Sequence, residues 1–155
     1  LLKNNTIVVA TISDAKILTE IALKSKAFWG YSNELIEGWR ADLTVTSRTI
    51  QTCQVYKYMI NDEVVGFYVL NTPNEELVKL EMLFVLPLFI GKGIGKELLA
   101  HALNKVIISN ANKIELVADP NAIPFYKSQG FLVKEQIGSA ILGRFLSLMQ
   151  KDLKQ

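Results

Sequence analysis

Three glycines at alternate positions, Gly91, Gly93 and Gly95, sit between the apolar run Leu77 to Val85 and a segment of helical spacing that reaches about Asn110. The linking residues are Leu86-Pro87-Leu88-Phe89-Ile90. A chain with such a junction takes a buried strand through a short loop into a helix, which commits it to layers of sheet and helix. Glycine lets the backbone adopt positive φ and come close to a ligand. The first turn of the helix adds unpaired N–H groups and a partial positive charge, and together these make a phosphate cradle. Lys92 and Lys96 place cations where an anion would sit. The spacing is Gly-x-Gly-x-Gly, so it fits neither the dinucleotide fingerprint Gly-x-Gly-x-x-Gly nor a P-loop, which needs Gly-Lys-Ser/Thr. Taken alone, the segment reads either as an anion site or as a tight strand-to-helix turn.

The rest of the chain alternates between the same two element types. Thr6 to Thr11 is short and β-branched, which predicts a first strand. Ser13 is the expected N-cap of a helix, with Asp14 in its first turn and Ile17, Ile21 and Ala22 at helical spacing. Gly30 ends that helix, and Ser32 is expected to cap a second, Asn33 to about Asp42, with Leu35, Ile36 and Trp39 on one face. Val55 to Ile60 and Val64 to Leu70 flank Asn61-Asp62-Glu63 and predict a hairpin. After the glycine segment come a strand at Lys113 to Ala118 and a short helix at Ile123 to Gln129, stopped by Gly130. Strands at Phe131 to Ile137 and about Leu142 to Gln150 close the order β-α-α-β-β-β-α-β-α-β-β, a mixed sheet with helices on its faces.

Composition removes several chemistries. A length of 155 residues suits one domain over 1–155. Such a chain buries about two-thirds of its unfolded surface without disulfide or metal staples. A net charge of +2 shows no electrostatic footprint for nucleic acid. Cys53 is the sole cysteine and His101 the sole histidine, so no Cys/His zinc cluster is expected and a His-centred triad would have to use His101. The longest apolar stretch, Met82 to Ile90, contains Pro87 and is too short to span a membrane. No signal-peptide pattern opens the chain, although Leu1 is not a start methionine. With one lone thiol, a cytoplasmic location is expected.

A second motif gives the glycine segment a context. Asp119-Pro120-Asn121-Ala122-Ile123-Pro124-Phe125-Tyr126-Lys127-Ser128-Gln129-Gly130-Phe131 follows a strand and holds a short helix. Here the sequence resembles the GNAT acyltransferase superfamily. That family joins an Arg/Gln-x-x-Gly-x-Gly/Ala phosphate loop to an Asn-x-x-x-Phe-Tyr-x-x-x-Gly-Phe segment about 25–35 residues later. The element order matches across nearly the whole chain. The resemblance implies an α/β (α+β) fold with a mixed, mostly antiparallel central sheet of about seven strands, helices on both faces and splayed central strands. One position departs: Ile90 stands where the family usually has Arg or Gln. That removes a side-chain contact to phosphate and keeps every backbone donor.

The resemblance implies transfer of the acetyl group of acetyl-CoA to a primary amine, by direct attack in a ternary complex. A small-molecule or peptide amine would be the acceptor, with no nucleic acid or membrane partner, and a homodimer is left open. Pantetheine would pair with the backbone of Leu83, Phe84 and Val85 as an added strand. An N–H near the splay would polarise the thioester carbonyl. Ile90, Gly91, Lys92, Gly93, Ile94, Gly95 and Lys96 would hold the pyrophosphate, with Asn121 and Phe125 as further cofactor contacts. Tyr126 matches the position that commonly protonates the leaving thiolate; the alternative is a tyrosine that packs its ring and only hydrogen-bonds. Glu81 shares a strand face with Leu83 and Val85 and is the candidate base, unless it faces solvent or pairs with Lys79. The alternative function is a non-catalytic acyl-CoA-binding or regulatory module.

The remaining singular residues are expected to be structural. Counting about 100° per residue puts His101 on the polar face of its helix with Glu97, Asn104 and Lys105, as a solvated side chain. Cys53 reads as a small packing residue. Phe28, Trp29, Tyr31 and Trp39 form either an aromatic wall for the acceptor or, with Trp39 and Phe28, anchors of the helices to the sheet. Arg144, after Gly143, is a candidate on the substrate side only.

Overall fold

The computed structural model describes residues 4–138 and 145–153. Among the described residues, seven strands form one sheet, in the order β1-β2-β3-β4-β5-β7-β6. The strands are β1 (Asn5–Val9), β2 (Gln54–Ile60), β3 (Glu63–Asn71), β4 (Leu77–Val85), β5 (Lys113–Ala118), β6 (Leu132–Gly138) and β7 (Phe145–Asp152). The helices are α1 (Ala15–Ala27), α2 (Asn33–Gly38), α3 (Arg40–Leu43), α4 (Ser47–Thr52), α5 (Ile94–Ile108) and α6 (Ile123–Ser128). By contact density the chain divides into Leu1–Leu70 with Met82–Ala102, and Asn71–Glu81 with Leu103–Gln155. Among the described residues, no helix is long and apolar enough to cross a membrane.

In the first unit, β1, β2 and β3 pair antiparallel, and Asn61 takes φ 54° at the predicted hairpin turn. Alternation along β2 and β3 gives the sheet two different faces. Val55, Phe67 and Val69 face one way and pack with Leu18, Ile21 and Ala22 of α1 and with Leu43 and Val45; Trp39, Cys53, Met82 and Phe84 extend this core. Tyr56, Tyr58, Gly66 and Tyr68 occupy the other face, where Tyr56 stands opposite Tyr68 and Tyr58 opposite Gly66. A methyl group on Gly66 would lie 2.9 Å from the Phe84 carbonyl oxygen and 3.1 Å from Leu98 Cδ1 of α5. The missing side chain therefore lets α5 lie close on the sheet. Gly66→Ala is expected to cost about 2 kcal/mol, read as a lower denaturant midpoint at unchanged m-value.

Several local expectations change in detail. Thr11, not Ser13, opens the first helical segment: a 3-10 turn over Ile12–Asp14 leads into α1, and the Asp14 carboxylate accepts from the Thr11 N–H at 2.8 Å. Ser32 does cap α2, accepting from the Leu35 N–H, but α2 ends at Gly38 and α3 follows instead of one continuous helix. A further helix, α4, has no counterpart in the hydrophobic pattern; it buries no residue and is held by reciprocal bonds between Thr46 and Thr49. The strand expected from Leu142 begins its described part at Phe145; Ser139, Gly143 and Arg144 lie outside the described residues.

In the second unit, β7 lies between β5 and β6 and pairs antiparallel with both, so that Leu116, Met149 and Val133 share one face. Ile114, Leu116, Met149 and Phe131 are buried there. β5 runs parallel to β4 over Leu77–Lys79 and Lys113–Glu115, and the ladder ends at that point although β5 continues to Ala118.

Candidate active site

The glycine junction is built as its sequence demands. Val85 is buried, and the Leu86 N–H donates to the Val65 carbonyl at 2.8 Å, so the end of β4 is tied to β3 before the chain turns. Pro87–Phe89 make one 3-10 turn, and Ile90 is extended and half-exposed. Gly91 and Gly93 then take φ +83° and +84°, conformations in which an L side chain is strained. A side chain at either position would meet nothing within 4 Å. These glycines serve the backbone path and leave the space above it open. Gly95 differs: it lies inside the first turn of α5, and its φ is not in the left-handed region. The Glu97 N–H closes that turn on the Gly93 carbonyl at 3.0 Å. The N–H groups of Ile94, Gly95 and Lys96 precede the first intrahelical bond and have no partner within the helix. Lys92 and Lys96 are exposed beside them. Leu83 and Phe84 are half-buried, with the Phe84 ring 6.0 Å from Phe67.

The second motif lies in the other unit. Asp119 caps a 3-10 turn, accepting at 2.9 Å from both the backbone N–H and the side-chain amide of Asn121. Asn121 is thus exposed and held in a local turn. Tyr126 on α6 is buried, with its ring in edge contact with Phe125 at 5.1 Å and Phe131 at 5.5 Å. Its carbonyl accepts from the Gln129 and Phe131 N–H groups, and Gly130 takes φ +91° to make the helix stop. Burial pushes the Tyr126 phenol above its ordinary value, so it stays protonated at neutral pH. Glu81 is exposed on β4, and Lys79 pairs with Glu115 at 4.0 Å instead of with Glu81.

The acetyltransferase (GNAT) domain family matches residues 10–141. The chain belongs to the GNAT acetyltransferase family. Its fold is shared with the PaiA N-acetyltransferase of Thermoplasma acidophilum, solved in complex with coenzyme A. That likeness has a TM-score of 0.84 at 23% identity, over 96% of this chain and 99% of that one. A GNAT acetyltransferase of Elizabethkingia anophelis, solved with acetyl-CoA bound, has a TM-score of 0.69 at 21% identity over 96% and 98% of the chains. An uncharacterized N-acetyltransferase of Prochlorococcus marinus is 38% identical over 48 residues, which is 31% of this chain and 27% of that protein.

Other polar residues of this GNAT chain escape sequence reasoning. His101 is half-buried and not simply a solvated side chain: its Nδ1 lies 2.7 Å from the Tyr68 hydroxyl and its ring 4.8 Å from that of Tyr56. One turn earlier on α5, Glu97 accepts from the Tyr58 hydroxyl at 2.8 Å. Both contacts arise because the sheet face beneath this flank of α5 carries tyrosines, which turn a polar flank into a docking surface. Burial pushes the Tyr68 phenol up, and burial with the Glu97 carboxylate does the same to Tyr58. The alternation of Tyr56 and Tyr58 along β2 was the one available signal. Of the aromatic group, Trp39 packs on the core and against Tyr31, whereas Phe28 and Trp29 are about half exposed and meet edge-on at 5.1 Å.

Proposed function

We propose that this chain transfers the acetyl group of acetyl-CoA to a primary amine of a small molecule or peptide, by direct attack in a ternary complex. The observation that carries this is the pair of left-handed glycines, Gly91 and Gly93, which open α5 and leave open space where side chains would stand. A backbone of that shape, with first-turn N–H groups beyond it, suits a diphosphate. The T. acidophilum and E. anophelis proteins hold CoA and acetyl-CoA, and the same donor is assigned to this chain.

When bound, the donor supplies an activated thioester; the rest falls to the protein. Ile90 to Lys96 hold the diphosphate, mainly through backbone N–H groups, with the charges of Lys92 and Lys96 added. The backbone of Leu83, Phe84 and Val85 takes the pantetheine amides as an added strand, consistent with the end of the β4–β5 ladder at Lys79. Tyr126 donates its hydroxyl proton toward the leaving sulfur, and Glu81 takes the proton of the attacking amine. Asn121 and Phe125 contact the cofactor beside Tyr126. Ile90 contributes no side-chain donor, so the phosphate contacts rest on the backbone.

Incubation with acetyl-CoA, a thiol-detecting reagent and a panel of amines tests this reading. Thiol release that depends on the acceptor is expected. CoA binding without acceptor-dependent release across a broad panel would make the chain an acyl-CoA-binding module instead.

A further inference from the structure

We infer that Tyr58 is a positioning residue for the CoA cradle, acting through Glu97. The inference rests on the reading of Ile90 to Lys96 as the diphosphate site. Glu97 is held at two points. Its N–H bonds the carbonyl of Gly93, a left-handed glycine of the cradle, at 3.0 Å. Its carboxylate accepts the Tyr58 hydroxyl proton at 2.8 Å, and Asn5 Nδ2 reaches the same hydroxyl at 3.4 Å. Tyr58 is a rigid anchor, with only 1% of its surface exposed. The contact therefore fastens the first turn of α5 to β2.

The direction of the carboxylate matters as much as the anchoring. A negative charge in the first turn of a helix is attracted to the unpaired N–H groups there, the same groups a diphosphate would use. Glu97 sits one residue from Lys96, whose charge favours the same ligand. The Tyr58 hydroxyl draws the carboxylate toward the sheet, so that neither the N–H groups nor Lys96 is claimed by it. A fully buried tyrosine that spends its hydroxyl on an exposed helix carboxylate is not needed for burial alone; phenylalanine would fill the same space.

Two substitutions at exposed Glu97 separate tether from charge without touching the core. Glu97→Gln keeps an acceptor for Tyr58 and removes the charge; Glu97→Asp keeps the charge and is too short to hold the tether. Tyr58→Phe removes the donor. Calorimetric titration with CoA, together with steady-state kinetics, reads the effect. Tyr58→Phe and Glu97→Asp are expected to raise the Kd for CoA and the KM for acetyl-CoA about fivefold, with kcat within about twofold. Glu97→Gln should bind CoA at least as tightly as the wild type, and the acceptor KM should not move in any variant. Equal CoA affinity in Glu97→Asp, Glu97→Gln and wild type would overturn the inference. So would a loss in Glu97→Gln as large as in Glu97→Asp. A wild-type protein that binds no CoA would instead remove the cradle reading, and this inference with it.

Discussion

Tyr126→Phe should lower kcat about 100-fold while the KM for acetyl-CoA changes less than about threefold. The size of the expected effect follows from what the hydroxyl lacks. The ring is in edge contact with Phe125 and with Phe131, and both contacts survive replacement by phenylalanine. The hydroxyl bonds no described residue, yet among the described residues no buried side-chain oxygen is left without a partner. The hydroxyl is thus a donor with no acceptor among the described residues. Burial raises its pKa above the ordinary 10, which fixes the direction of the pH effect. The proton is retained throughout the neutral and moderately alkaline range, so no activity is lost through Tyr126 ionisation below about pH 10. Raising the pKa also makes full transfer to a thiolate of about 8.5 harder, so in the proposed role the hydroxyl would act chiefly by hydrogen-bonding the sulfur as charge builds on it. Unchanged turnover of Tyr126→Phe with a true acceptor would end the assignment.

What the sequence disclosed, and what it did not, divides by the range of the interaction. Gly91, Gly93 and Gly130 stand where the backbone needs positive φ, Asn61 marks a hairpin, and Ser32 caps its helix; each is a signal carried within a few residues. Those local signals were enough to place the strands, the long helix and the glycine turn that opens it. α4 left no apolar stripe because it buries none of its residues, so hydrophobic periodicity had nothing to detect. The setting of His101 is hidden for another reason. Helical angle assigns a residue to a flank, but the neighbour decides whether that flank is wet. The tyrosines of β2 and β3 supply hydroxyls and rings to meet Glu97 and His101. Residues that meet across 33 and 39 positions in sequence leave no spacing to read.

The same blindness hid the ion pair on the opposite face of the sheet, where the largest stability effect is expected. Lys57 of β2 places its Nζ 3.0 and 2.9 Å from the two oxygens of Asp14, at the start of α1, across 43 residues of sequence. The pair lies beside the main core, with side-chain exposures of 17% and 12%, so water screens it little. Asp14→Ala removes the partner of the ammonium and also frees the Thr11 N–H, which now donates to that carboxylate. A loss of about 3 kcal/mol follows, or roughly 10 °C in Tm. Asp14→Ala combined with Lys57→Met should regain much of it, because the cost lies in leaving one charge behind. Burial alone would raise the Asp14 pKa, but the Thr11 N–H and the Lys57 ammonium outweigh it and hold the group below its ordinary 3.8. A carboxyl whose folded pKa is depressed contributes stability above its unfolded value and loses it as pH falls toward the folded one. The gap between wild type and Asp14→Ala should therefore be full at pH 7 and narrow below about pH 4. Denaturant melts at pH 7 and pH 3 measure it; a gap that stayed constant between them would show that the carboxylate charge is not what holds α1 to the sheet.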